Sequence, residues 1–169
     1  MKFMVEHLKS LRELYLNQLQ MLLSAEEQIA IASLDMVTDS TDQELKAALQ
    51  AHKDETQKQV LRLEQILTAA TGSAKLIKCK AVHALISETE DMVQDTRNDA
   101  VRDVALIAAA QRIEHFEIAA YGAVRRFAEL LGDTADAALL TQTIEEEGHA
   151  DHVPTAIAER LNIEAKQAA

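Results

Sequence analysis

The chain reads as helix almost from end to end. Apolar residues recur at three- and four-residue spacing through five segments, the pattern of a buried stripe along a helix. The first stripe, Leu8, Leu11, Tyr15, Gln18, Leu22, Glu26 and Ile29, predicts a helix from about Phe3 to about Val37, ended by Thr38-Asp39-Ser40. Thr41 followed by Glu44 has the form of a capping box, in which two side chains satisfy free N–H groups at a helix start. It predicts a second helix, which Gly72 closes. A shorter amphipathic helix, from about Leu76 to Asp95, presents Val82, Ile86, Thr89 and Val93 on one stripe. Asn98 or Asp99 caps a long fourth helix ending near Gly132. Asp133 opens a fifth, which Pro154 is expected to kink or interrupt.

The connections near positions 38–42 and 132–134 are short, so the helices they join are antiparallel neighbours. The intermediate segment of about twenty residues is long enough to carry the chain across a bundle. The expected fold is therefore all-α, a ferritin-like four-helix bundle of two antiparallel hairpins with an additional short crossover helix. It fills residues 1–169 as one domain. Composition agrees: with 4 Gly, 1 Pro and no Trp, little material is left for turns or strands.

A formal charge of −11 argues against phosphate-backbone binding, because no basic cluster is present to displace counterions. It would not repel metal cations. The single cysteine, Cys79, excludes an internal disulfide framework and suits a reducing compartment. Lys78 and Lys80 beside it could lower its pKa, but a small, partly buried helix residue is the favoured reading. Glu6, Lys9, Arg12 and Glu13 interrupt any apolar leader, and the run Val104 to Ala110 is too short to span a bilayer. The expectation is a cytoplasmic protein with no membrane or nucleic-acid partner.

The candidate chemistry lies where polar residues break the apolar seams. Glu26 stands in the first stripe. The second runs Leu45, Leu49, His52, Glu55, Gln59, Leu63, Ile66, with an imidazole and a carboxylate one turn apart. The fourth helix gives Val104, Ile107, Gln111, Glu114, Ile118, with Glu117 and Tyr121 extending that side. The last gives Leu139, Thr143, Glu146, Ala150, Val153, Ile157, with His149 one turn from Glu146. Carboxylates pointed into a core require protons, partners or cations.

Their heights match. Glu26 lies about a dozen residues before the first connection and His52 and Glu55 about as far after it, so at roughly 1.5 Å per residue they come level. Glu114 and Glu117 likewise come level with Glu146 and His149 across the turn at Gly132. Glu and His together suit iron, manganese or zinc. The di-metal bundle template places one Glu on each of two helices and Glu-x-x-His on the other two. Glu26, Glu114 and Glu146-x-x-His149 have that form, whereas His52-x-x-Glu55 is reversed. Taken singly, Glu26 reads as a solvated edge residue, His52 as a satisfied histidine and Glu145-Glu146-Glu147 as a solvated face. The coincidence of four interrupted seams favours a metal site. Tyr121 reads first as a core aromatic, and His115 as a neighbour rather than a ligand. Asp151 and His152 join the site only if Pro154 distorts the helix.

Ser24-Ala25-Glu26-Glu27-Gln28, His52-Lys53-Asp54-Glu55-Thr56, Ile113-Glu114-His115-Phe116-Glu117-Ile118 with Tyr121-Gly122, and Glu145-Glu146-Glu147 occur in an order and spacing that resembles the YciE/YciF family of bacterial ferritin-like proteins. The resemblance covers about Leu11 to about Asp151. It implies a rubrerythrin-related helical bundle, commonly a homodimer, associated with stress responses. It also aligns Glu26, Glu55, Glu114, Glu117 and Glu146 with the family's acidic motifs. Leu23 stands where relatives often carry an aromatic, and His149 where a small residue is expected.

The leading expectation is a di-metal carboxylate protein, with iron first and manganese or zinc as alternatives, held by Glu26, His52, Glu55, Glu114, Glu117, Glu146 and His149. Its chemistry would be peroxide- or dioxygen-related stress protection, with the small-molecule substrate left open. The alternative is a non-catalytic helical homodimer, a structural stress protein whose inward polar residues form a network or a degenerate metal site. An iron-storage cage ranks third, since nothing in the sequence points to cage assembly.

Overall fold

The computed structural model describes residues 7–167, with the side chains at 151–154 outside the description, and it consists of five helices: α1 (Leu11–Asp39), α2 (Gln43–Thr71), α3 (Lys80–Asp95), α4 (Asp99–Leu131) and α5 (Thr134–Gln167). Helices α1 and α2 form one hairpin and α4 and α5 the other. Across the bundle α1 packs on α4 and α2 on α5, while α3 lies against α1 and α4.

Contacts at the helix ends fix the directions. Arg12 at the start of α1 pairs with Asp133 just after α4. Asp103 near the start of α4 meets Thr41 just after α1. Arg160 near the end of α5 pairs with Asp42 at the start of α2. Each neighbouring pair is therefore antiparallel, which leaves α2 and α4 parallel on a diagonal. A parallel pair needs a long return, and residues 72–98 supply it. Among the described residues, no helix is long and apolar enough to cross a membrane.

Both glycine stops act as expected: Gly72 and Gly132 each have φ +80°, the left-handed conformation that closes a helix without a Cβ clash. Three starts differ from the sequence reading. Positions 3–6 of the expected first helix lie outside the described residues, and His7–Lys9 are not helical. Helix α1 begins after Ser10, whose hydroxyl accepts the Glu13 N–H while the Glu13 carboxylate accepts the Ser10 N–H. This is a complete capping box. For α2 the cap is Asp42, whose carboxylate accepts the Glu44 and Leu45 N–H groups; Thr41 instead turns to Asp103. Helix α3 starts at Lys80 and not near Leu76, because the strand-like approach is tied to α1. The Ile77 N–H donates to the Gln20 carbonyl and the Cys79 N–H to the Ser24 hydroxyl. Cys79 is a buried free thiol at the α3 N-cap. Pro154 does not interrupt the last helix, which runs as one element from Thr134 to Gln167.

The apolar core is divided along the bundle. One cluster, around Tyr15, Leu19, Leu63, Ile66, Tyr121 and Leu140, fills the end near Gly132. A second, around Met36, Leu45, Leu106, Ile157 and Leu161, fills the opposite end. A third, with Ile29, Val82 and Ile113, sits under α3. The interval between the two end clusters is where the buried carboxylates lie.

Candidate metal centre

Each long helix sends an acid or an imidazole into that interval. Glu26 from α1 and Glu117 from α4 are fully buried, as is Glu147 from α5, and Glu114 is 2% exposed. Helix α2 contributes half-buried His52 and Glu55 and fully buried Gln59. Ligand atoms of His52, Glu117 and Glu147 all lie within 4.8 Å of one another.

Few donors reach these groups. The Tyr121 hydroxyl donates to Glu26 Oε1 at 2.5 Å, and Gln59 donates to Glu147 Oε1. No protein donor reaches Glu26 Oε2, Glu147 Oε2, either oxygen of Glu117, or His52 Nδ1, although all are sealed from solvent. The Glu117 carboxyl faces that of Glu26, and a hydrogen bond between them exists only when one holds a proton.

Electrostatics follow from this crowding. Burial, reinforced by Glu26 and the other neighbouring carboxylates, holds Glu147 up at about 9 and pushes Glu117 well above the ordinary range. Glu26 rises only to about 7, because the Tyr121 and Glu117 hydrogen bonds and the Arg62 charge offset part of the burial effect. Burial lowers His52 to about 4, so at neutral pH its imidazole is uncharged and Nδ1 has a lone pair or a proton with nowhere to go. Desolvated carboxylates beside a neutral imidazole match the donor set of a divalent transition metal, whose charge would replace the missing protons. The residues present therefore fit such an ion.

The predicted residues divide into three groups. Glu26, His52, Glu114 and Glu117 face the central interval. Glu55 and His149 line a cleft of about 150 Å³ between α2 and α5, which His52 and Glu114 also line. Glu146 is turned away. It receives both terminal nitrogens of Arg62 at 2.6 Å, and Gln142 at 3.0 Å. Burial alone would raise its pKa, but these bonds hold it below the usual range. The residue that enters from α5 is Glu147, which the seam through Leu139 and Glu146 placed on the solvated side. Thr143 is buried as expected, but Leu140 and Glu147 are buried in place of Leu139 and Glu146, each about 100° further around the helix. Arg62, which selects between the two glutamates, had no place in the sequence reading. Neither Asp151 nor His152 can be placed, since their side chains lie outside the described residues.

Comparison with known proteins agrees with the fold. A family profile described as a domain of unknown function, DUF892, matches residues 10–167. Protein YciF of Escherichia coli strain K12 is 36% identical over 146 residues, covering 86% of this chain and 88% of that protein. The solved structure of the E. coli stress protein YciF superposes with TM-score 0.87 at 35% identity, covering 91% of this chain and 98% of that one. YcfI, a proposed structural protein from Rhodopseudomonas palustris, gives TM-score 0.87 at 32% identity over 90% and 98%.

Proposed function

Since the chain belongs to the DUF892 family of YciF-like proteins, we propose that it is a stress-associated metal-carboxylate bundle, binding iron or a similar divalent ion in its mid-bundle interval. The observation that carries this reading is Glu117: both its oxygens are buried without a donor, within 4.8 Å of His52 and Glu147 ligand atoms. In this reading His52, Glu117 and Glu147 hold a first ion, and Glu26 and Glu114 supply the carboxylates that admit a second. Such ions would supply Lewis acidity and electron exchange with a small oxidant such as peroxide or dioxygen. Tyr121 orients Glu26, Gln59 orients Glu147, and the apolar clusters at both ends exclude water. The reading extends to a cytoplasmic homodimer, which light scattering of the purified chain checks.

Metal content after chelator-free purification tests it. The expected result is about one to two iron or manganese ions per chain, lost in folded Glu117→Ala. Metal-free native protein with a melting temperature indifferent to EDTA overturns it.

A second reading, a structural protein with a protonated carboxyl network, is favoured by the Tyr121–Glu26 and Gln59–Glu147 bonds, which give one oxygen of each of these two acids a donor without any ion. Under it Glu117→Gln is folded, metal-free like the native chain and more stable.

A further inference from the structure

The cleft between α2 and α5 touches the buried centre at two residues, and its remaining polar groups have no part in the cluster. His52 belongs both to the cleft lining and to the group with Glu117 and Glu147. Its Nδ1 is buried and has no hydrogen-bond partner, on a side chain that also lines the cleft. Glu114 lines the same cleft. Glu55, half-buried, and His149, exposed, complete its ionisable lining. The ionisable lining therefore grades from exposed His149 through half-buried Glu55 and His52 to buried Glu114. The volume of about 150 Å³ corresponds to roughly five waters, enough for a cation that still carries part of its hydration shell.

The neighbouring stretch of the same α2–α5 seam is shut. Arg62 grips Glu146 with two bonds of 2.6 Å, which neutralise that carboxylate and leave it unavailable to a cation. Of two other cavities among the described residues, the one of about 290 Å³ is lined by α1, α3 and α4 around Met36, Ile86 and Val93. The third lies outside α1 and α2 at Ile31 and Val60, and neither is lined by a residue of the cluster.

We propose that the α2–α5 cleft is the entry route for a divalent cation, with Glu55 and His149 as the outer transfer groups that pass it to Glu114 and His52. The proposal rests on the metal reading of the centre. It assigns to Glu55 and His149 a role in the rate of loading and none in the final ligand set. A hydrated ion sheds water stepwise, and each outer group replaces one water before the ion reaches the dry interval.

Stopped-flow uptake of Co²⁺ by the metal-depleted full chain, followed in its visible absorption bands, tests the route. The double variant Glu55→Gln/His149→Gln should load about tenfold more slowly, the lower end of what a charged cleft contributes to ion capture, and reach the native stoichiometry. Ala150→Leu, which narrows the cleft without altering charge, should also slow loading to the same endpoint. Native loading rates in both variants overturn the route while leaving the metal reading intact. Reduced stoichiometry in the double variant makes the two residues ligands and also overturns it. Failure of the native chain to bind Co²⁺ removes the metal reading and the route together.

Discussion

The carboxylate of Asp103 grips Thr41 twice: Oδ1 accepts its backbone N–H at 2.8 Å and Oδ2 its hydroxyl at 2.7 Å. Asp42 N–H adds a third bond, to Oδ2, at 2.9 Å. The same Asp42 caps α2, so one buried acid on α4 fixes the α1–α2 turn and the cap that follows it. Asp103→Ala leaves two backbone donors in a half-buried turn without their acceptor. The expected loss is about 3 kcal/mol, read from the urea midpoint, since each stranded donor costs roughly 1–3 kcal/mol. Loss below about 1 kcal/mol would mean that water replaces the carboxylate at the turn.

How much of this was legible in the sequence depended on contrast between neighbouring positions. The stripe on α2 was readable because Leu45 and Leu63 are flanked by polar residues and Leu49 and Ile66 have one on one side, and five of its members, Leu45, Leu49, Gln59, Leu63 and Ile66, are buried. On α5 the contrast fails. Leu139 and Leu140 are both apolar and Glu145, Glu146 and Glu147 are all acidic, so two stripes through Thr143 fit equally well. Only the partner on α2 decides, through Arg62 drawing Glu146 outward and Gln59 meeting Glu147. Ser10-x-x-Glu13 has the form of a capping box, but the stripe through apolar Leu8 carries the predicted helix past it, and Leu8 proves to be 45% exposed. Leu76 and Ile77 resembled a helix start, yet the backbone there bonds to α1, a tertiary contact that local pattern does not encode.

Arg62 and Glu146 form a largely screened ion pair, with side chains 14% and 22% exposed, and Thr143 adds a hydroxyl at 3.0 Å. Arg62→Met strands Glu146 and should cost about 2 kcal/mol, between the values typical of surface and buried pairs. Arg62→Met/Glu146→Gln should recover most of it, since no unpaired charge then remains. A double variant as unstable as the single one would show that packing of the Arg62 stem dominates. Chemical denaturation of the metal-free proteins is the measurement.

The metal-free chain should lose stability as pH rises. Unfolded glutamates ionise near 4.5, whereas burial holds Glu26 at about 7 and Glu147 at about 9 in the fold. Between those limits the folded state binds more protons than the unfolded one, so stability falls with increasing pH. His52, lowered to about 4 by burial, acts in the opposite sense and only below about 6.5. Melting in EDTA should therefore drop by several degrees, about 5 °C or more, from pH 6.5 to pH 9. Glu147→Gln, which still accepts from Gln59 at Oε1, should flatten that slope and exceed the native melting temperature at pH 9. A native curve that rises with pH would show that the two acids are ionised and otherwise compensated.

Tyr121→Phe separates the two readings of the centre with one deleted oxygen. Tyr121 is 1% exposed and its hydroxyl donates to Glu26 Oε1 at 2.5 Å, a bond that also restrains the rise in the Glu26 pKa. If Glu26 serves a metal ion, the hydroxyl positions a ligand. Its removal should weaken metal affinity about tenfold or more, as loss of a ligand-orienting partner does. The loaded protein should otherwise stay close to native in fold. If the acids are a structural network, the same deletion strands Glu26 Oε1 and costs about 1–3 kcal/mol in the metal-free chain. A Co²⁺ titration and a urea melt on the same variant distinguish these outcomes. Weakened affinity with little change in apo stability supports the metal reading, and a stability loss with no measurable Co²⁺ binding in either protein supports the network.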